Sequence, residues 1–281
     1  MKYRVFLNLK GGVGNQIFQI IAAINYCKLN GLDTINIYVG NLSKYGVKRD
    51  FKLDSLFDNL DFSVHIIYKE KFWFNYRILN ALRYFNNILF SFINEDKYLI
   101  PIKSKFVFLD GYFQAVKYLY VNNGLNLIKE SFHNSYLNHS GLNQIFIENK
   151  LSSQYGLHIR GTDFLKDSNY VVNSPIKLLK KLNLSQIWVF TDDRVHANEV
   201  LRQVNIEVKF IDELNLSDFE EFILISMFDN FIISNSTYSL TAVLLGMSNT
   251  KSIWAPQKWV NSIYDNENLF KIVSSQNFKL Y

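Results

Sequence analysis

Three apolar runs in the second half of this chain stop abruptly on polar residues, and each is followed by a segment of helical periodicity. Leu157 and Ile159 alternate with His158 and Arg160 ahead of Gly161-Thr162-Asp163; Ile187-Trp188-Val189-Phe190 runs into Thr191-Asp192-Asp193; Phe231-Ile232-Ile233 runs into Ser234-Asn235-Ser236-Thr237. Short apolar runs alternating with helical patterns mark βαβ units. A helical crossover returns the chain to start the next strand in the same direction, so the strands run parallel and their ends fall on one edge of a sheet, where open α/β sheets bind ligands. Singly, each polar end has a structural explanation: Arg160 and Asp163 can pair to tie down a loop, and His158 can pack inside. Three such ends on one edge predict a convergent polar site.

The same reading along the chain gives strands near residues 155–160, 186–191, 206–211, 230–234 and 251–255, with helices near 174–183, 194–204, 217–228 and 236–247. The first half reads as strands over 3–9, 34–39, 63–68 and 105–109, a helix over 15–29, and a helix-like region after Tyr112. Asn, Ser and Gly concentrate between Gly141 and Ser153, so the expected division is 1–148 and 149–281. Residues 71–93 are rich in Phe, Trp, Tyr and Leu with Arg77 and Arg83 among them; the spacing predicts a helix or helical pair on its own sheet, or one lying on an anionic membrane face.

Composition narrows the function. Of 281 residues, 48% are hydrophobic and 20% charged, the balance of a folded chain. The single cysteine, Cys27, allows no intrachain disulfide or multi-cysteine zinc site and falls where helix periodicity buries it. A net charge of +5 without an arginine-rich block favours an anionic small molecule over nucleic acid. The start reads as an amphipathic strand, and no charge-free run approaches the roughly 20 residues that span a bilayer. The expectation is a chain of a reducing compartment, neither secreted nor membrane-spanning.

After the first strand comes Lys10-Gly11-Gly12-Val13-Gly14-Asn15-Gln16, opening a helix whose amides can face an anion. A P-loop needs Lys and then Ser or Thr where Asn15 and Gln16 stand; a dinucleotide fingerprint needs glycine where Ile17 stands and an acid ending the second strand. Both fail. What remains is a glycine turn with two amides able to bond sugar hydroxyls or phosphate oxygens, or a tight turn in which Asn15 merely caps the helix.

Taken together, Gly11-Gly12-Val13-Gly14-Asn15-Gln16-Ile17-Phe18-Gln19, Asp110-Gly111-Tyr112-Phe113-Gln114 with Lys117-Tyr118, His158-Ile159-Arg160-Gly161-Thr162-Asp163, Phe190-Thr191-Asp192-Asp193, Ile233-Ser234-Asn235-Ser236-Thr237-Tyr238-Ser239 and Ala255-Pro256-Gln257-Lys258-Trp259 resemble the family 11 glycosyltransferases, the α-1,2-fucosyltransferases. The blocks follow family order over nearly the whole chain. The resemblance implies a GT-B-like α/β fold of two facing Rossmann-like domains with mainly parallel sheets. The N-terminal domain would be acceptor-side, and the C-terminal one would bind GDP-β-L-fucose. It also implies inversion, no required metal or other cofactor, and a role in surface polysaccharide synthesis. The acceptor would be a glycan or lipid-linked oligosaccharide, and the chain would sit in the cytoplasm, at most in peripheral contact with the inner membrane face. Related donors such as GDP-colitose, or a binding protein without turnover, are the alternatives.

On this reading the donor contacts are Gly12, Gly14, Asn15, Gln16, His158, Arg160, Asp192, Ser234, Asn235, Ser236 and Thr237. Arg160 receives the diphosphate, because its planar fork binds phosphate oxygens bidentately. Asp163 is the candidate base, with His158 and the Asp192-Asp193 pair as competitors, either acid also being a candidate helix cap. The chain departs from the family twice: Gly161 stands where a second arginine is usual, and Leu240-Thr241-Ala242-Val243 replaces a tryptophan-rich continuation.

Overall fold

The structure is a computed structural model that describes residues 4–40, 42, 51–68, 89–99, 101–102, 104–137, 140–161, 174–246 and 252–281. The chain divides into two compact units, Met1–Ser131 and Phe132–Tyr281. In the first, β1 (Arg4–Asn8), β2 (Thr34–Tyr38), β3 (Ser63–Ile67), β4 (Phe90–Ile93) and β5 (Phe106–Leu109) form a parallel sheet in the order β3-β2-β1-β5-β4. Strand alternation turns Val5, Leu7, Ile35, Ile37, Val107 and Leu109 inward, all fully buried. The helix α1 (Val13–Leu29) packs on β1 and β2 and buries nearly every side chain from Gln16 to Cys27, as a helix apolar on all sides must. It stops where Gly31 turns left-handed and the Leu32 amide doubles back to the Cys27 carbonyl.

The opposite side chains of the sheet form a row of phenylalanines. Parallel pairing sets Phe6 beside Phe108, Phe90 beside Phe106 and Phe92 beside Phe108, and the rings stack at 5.1–5.6 Å. This corrects one expectation: the end of the aromatic stretch, Phe90–Ile93, is a strand and not part of a helix. The period of two in Phe90-Ser91-Phe92 fits the ring ladder of its neighbour. Of the stretch 71–93 that carries the helical and membrane-face readings, residues 71–88 lie outside the described residues.

The first unit continues through α2 (Val116–Leu119) into α3 (Gly124–Phe132), and α4 (Ser140–Glu148) follows in the second. The expected division at 148/149 therefore differs from the one found, and aromatic packing explains the shift. Phe132 meets Phe222 edge-on, Tyr136 meets Phe219, and Phe146 meets Phe228, with ring centres 5.0–6.0 Å apart. These contacts fasten residues 132–148 to the second unit, although the expected division assigns them to the first.

That unit is a six-stranded parallel sheet of β6 (Tyr155–Ile159), β7 (Gln186–Thr191), β8 (Glu207–Phe210), β9 (Asn230–Ile232), β10 (Ser252–Ala255) and β11 (Lys279–Leu280), ordered β8-β7-β6-β9-β10-β11. On one face, α5 (Ile176–Leu182) and α6 (Arg194–Leu201) pack against Leu157, Ile187 and Val189. On the other, α7 (Asp218–Met227) leads into Phe228, whose ring lies against Phe190 and Phe231, and α8 (Thr237–Leu245) packs on α7. A last helix, α9 (Ile263–Ser275), precedes β11. The chain winds outward from β6 in one direction and from β9 in the other, so the strand order reverses between them. That is the doubly wound arrangement whose crevice at the carboxyl edge binds ligands. The three polar runs end β6, β7 and β9, which are neighbours.

Gly156 shows how tightly β6 is held. A Cβ there would stand 2.3 Å from the ring of the fully buried Phe231 and 3.2 Å from Phe228. Gly156→Ala is expected to cost about 1–3 kcal/mol through overpacking, read as a thermal midpoint lowered by roughly 2–4 °C per kcal/mol.

Candidate functional site

Arg160 is the first residue past β6, and Asp192 the first past β7. Their side chains form an ion pair, Arg160 Nη1 to Asp192 Oδ2 at 2.5 Å, while Asp192 Oδ1 accepts the Gly161 amide at 2.8 Å. One carboxylate thus aligns the guanidinium and fixes the backbone beyond it. Both side chains keep about a fifth to a quarter of their surface open, 19% and 26%, enough to meet a ligand. The two neighbouring acids divide their work. Asp193 caps α6, accepting the His196 amide at 3.0 Å, and its own amide is held by Thr191 Oγ1 at 3.1 Å.

Gly161 has a packing reason. A Cβ there would lie 2.4 Å from Asp193 Cβ, so this backbone admits no arginine at 161 while Asp193 holds the cap.

Across the reversal in strand order, His158 Nδ1 and Ser234 Oγ share a hydrogen bond of 2.8 Å. Both are buried, and the His158 ring lies 5.6 Å from that of Tyr238. Burial first, then the Arg160 charge, push the imidazole down to about 3, with Asp192 opposing. The ring is therefore neutral at physiological pH and a weak proton acceptor, joining β6 to the segment after β9. Further along that segment, Asn235 Nδ2 donates to the Trp259 carbonyl at 2.8 Å, whose amide donates to Asn266. Ser236 caps α8 through the Tyr238 amide, and Thr237 opens that helix. His158, Arg160, Asp192, Ser234, Asn235, Ser236 and Thr237 thus stand on three adjacent strand ends of one unit. Asp163 lies outside the described residues.

The glycine turn belongs to the first unit. Gly11 is left-handed (φ +74), and Gly12 is the N-cap of α1 with no side-chain cap. Asn15 therefore does not cap the helix: its Oδ1 accepts Gln114 Nε2 at 2.8 Å. Gln16 is buried, donating to the Gly11 carbonyl at 3.1 Å, and Gly14 is buried beside it. Sequence reasoning passed over Gln19, which binds both the amide and the carbonyl of Lys10. Its signal was a polar residue in the middle of an apolar helix. Tyr238 was missed as well; its hydroxyl donates to the Asp218 carbonyl at 2.5 Å.

Among the described residues, no group of three or more His, Cys, Asp or Glu is placed to hold a metal ion, and no helix is long and apolar enough to cross a membrane. No protein-family model matches the chain, and no curated protein does. Among solved structures it is similar to NodZ α-1,6-fucosyltransferase co-crystallised with GDP, at 13% identity and a TM-score of 0.52, covering 87% of this chain and 93% of that one. It is similar to fucosyltransferase NodZ from Bradyrhizobium at 13% identity and 0.51, covering 87% and 94%, and to NodZ soaked with GDP-fucose at 13% and 0.51, covering 87% and 93%. At this identity the likeness establishes the fold: an α/β, GT-B-like chain with two Rossmann-like halves.

Buried His158 and half-buried Glu221, both near Tyr238, give stability opposite pH dependences. His158, lowered from 6.5 to about 3, contributes stability that is complete above pH 6.5 and lost as pH falls toward 3, on the order of a few kcal/mol in all. Glu221, raised from 4.5 to about 7 by burial and then by Asp218 and Asp212, favours folding at low pH and loses that contribution as pH rises from 4.5 through 7. Thermal midpoints against pH should separate them. His158→Gln is expected to flatten the loss on acidification below pH 6.5, and Glu221→Gln to raise the midpoint above pH 7.

Proposed function

We propose that this chain is an inverting glycosyltransferase of the family 11 type, transferring fucose from GDP-β-L-fucose to O2 of a galactoside in surface polysaccharide synthesis. The observation that carries the reading is Arg160, held by Asp192 at the carboxyl edge beside the reversal in strand order. Support comes from the fold shared with NodZ, a fucosyltransferase crystallised with GDP and with GDP-fucose, and from the six motif blocks in family order. The acceptor is a glycan or lipid-linked oligosaccharide, and the reaction belongs on the cytoplasmic side of the membrane.

In the reaction the acceptor oxygen attacks the anomeric carbon from the face opposite the nucleotide. The bond from that carbon to the diphosphate oxygen breaks, and GDP leaves with the electron pair. Negative charge thus grows on the diphosphate, and Arg160 offers it a permanently charged fork aligned beforehand by Asp192, so little reorganisation is needed as the charge develops. The amides that open α8 after Ser236 share that charge. His158 and Ser234 lock β6 to the α8 segment, fixing the spacing of these donors. The acceptor's proton goes to a carboxylate, for which Asp163 is our candidate. The protein's own cation takes the place of a Lewis acid.

Arg160→Ala should fold and lose transfer activity by on the order of 10²–10³ in rate, the usual worth of one preorganised donor to developing charge. A purified, folded variant transferring at the normal rate removes Arg160 from this role. A donor screen with GDP-fucose and GDP-colitose and mass-spectrometric readout tests the activity itself; binding of both without hydrolysis or transfer would make the protein a binder.

Transfer should also persist in excess chelator. Loss of activity on chelation, restored by magnesium or manganese, would overturn the metal-free mechanism.

A further inference from the structure

The first unit places a second polar group at its own carboxyl edge, past β1 and β5, which are adjacent strands. Lys10 follows β1 and Asp110 follows β5, and their side chains form a close ion pair, 19% and 12% exposed. Two residues on, Tyr112 keeps 40% of its surface open. Beyond it, Gln114 reaches Asn15 through Nε2. Glu95 holds this loop from outside. One of its carboxylate oxygens accepts both the Tyr112 amide (2.8 Å) and the Phe113 amide (2.9 Å), and its carbonyl accepts the Tyr118 hydroxyl (2.7 Å). Phe113 is left-handed (φ 55) and fully buried between Tyr98 and Tyr118. So strained a residue persists because both its amide and its ring are fastened.

We infer that residues 110–114, together with Lys10, form a subsite for the hydroxyls of a sugar ring, with Glu95 as its positioning residue. The inference rests on the glycosyl-transfer reading for its substrate. The chemistry is that of a neutral polyhydroxyl ligand. The Lys10–Asp110 pair sets an N–H donor beside a carboxylate acceptor, a combination that adjacent hydroxyls of a sugar, each both donor and acceptor, can bridge. Lys10 has three N–H donors, and the pair with Asp110 takes only part of them. The exposed Tyr112, two residues from Asp110 in the chain, supplies an apolar face for the C–H side of a pyranose, with its amide already held by Glu95.

The ring can be the donor's or the acceptor's, and the full chain distinguishes them. Tyr112→Ala removes only an exposed ring, and Asp110→Asn keeps the shape while removing the charge. If the donor's sugar sits here, both variants should lower the preference for GDP-fucose over GDP by roughly tenfold. If the acceptor's does, they should raise KM for lactose by a similar factor. Glu95→Ala should move the same quantity, and Glu95→Gln, which keeps an acceptor oxygen for the two amides, should restore it. Folded variants with both quantities within twofold of the parent overturn the subsite. Should the parent neither bind GDP-fucose nor transfer, the proposed function fails, and saturation-transfer NMR with free L-fucose and lactose then decides the subsite alone: signal lost in Tyr112→Ala upholds it, and no signal from the parent overturns it.

Discussion

Asp192 holds two groups at once, the Arg160 guanidinium and the Gly161 amide, and the site in the second unit is organised around that double contact. A single arginine at a strand end would sample many rotamers and would lose conformational entropy on meeting a ligand. Anchored at 2.5 Å by a carboxylate from the neighbouring parallel strand, it is fixed before a ligand arrives. The same carboxylate sets where the chain goes after β6, and Asp193 beside it presses so closely on Gly161 that only glycine fits. A larger side chain at 161 is excluded by packing against a helix cap, and among the described residues past β6 Arg160 carries the charge.

Beneath that surface the site rests on buried polar groups that offset one another. His158 and Ser234 satisfy each other across the reversal in strand order, and the imidazole remains neutral because burial and Arg160 both disfavour its charged form. The Tyr238 ring lies tilted against that imidazole, and burial raises its hydroxyl well above the ordinary range, with Glu221 and Asp218 adding to the effect. A charged histidine here would repel the cation that the site is built to present.

The first unit uses the same geometry with different chemistry. Its strand ends carry a Lys–Asp pair, two side-chain amides and an exposed tyrosine, where the second unit carries an Arg–Asp pair beside a buried histidine and a serine. The glycine turn shows why: Gly11 needs a positive φ, Gln16 and Gln19 tie the turn to α1, and Asn15 is left to face the neighbouring loop through Gln114. Composition gave no hint of Glu95. Its importance comes from two amides 17 and 18 residues away in the chain, a pairing that no local pattern encodes.

What the sequence determined by itself were the features with short-range causes. Short apolar runs ending on polar residues specified β6, β7 and β9, periodicity specified α1 and the helices after each strand, and the polar ends of three strands marked one edge. The failure of Asn15 and Gln16 to match a P-loop was likewise legible, since that chemistry depends on residue type at fixed spacing. Tertiary structure decided the rest. Whether Asp192 or Asp193 capped α6 depended on which carboxylate met Arg160, a contact between residues 32 positions apart in the chain. Phe90–Ile93 became a strand because Phe106 and Phe108 offered rings to stack on. Residues 132–148 joined the second unit because Phe222, Phe219 and Phe228 stood ready to pack them. Local sequence fixes what a segment can become, but burial and pairing free energies belong to partners brought together only by the fold.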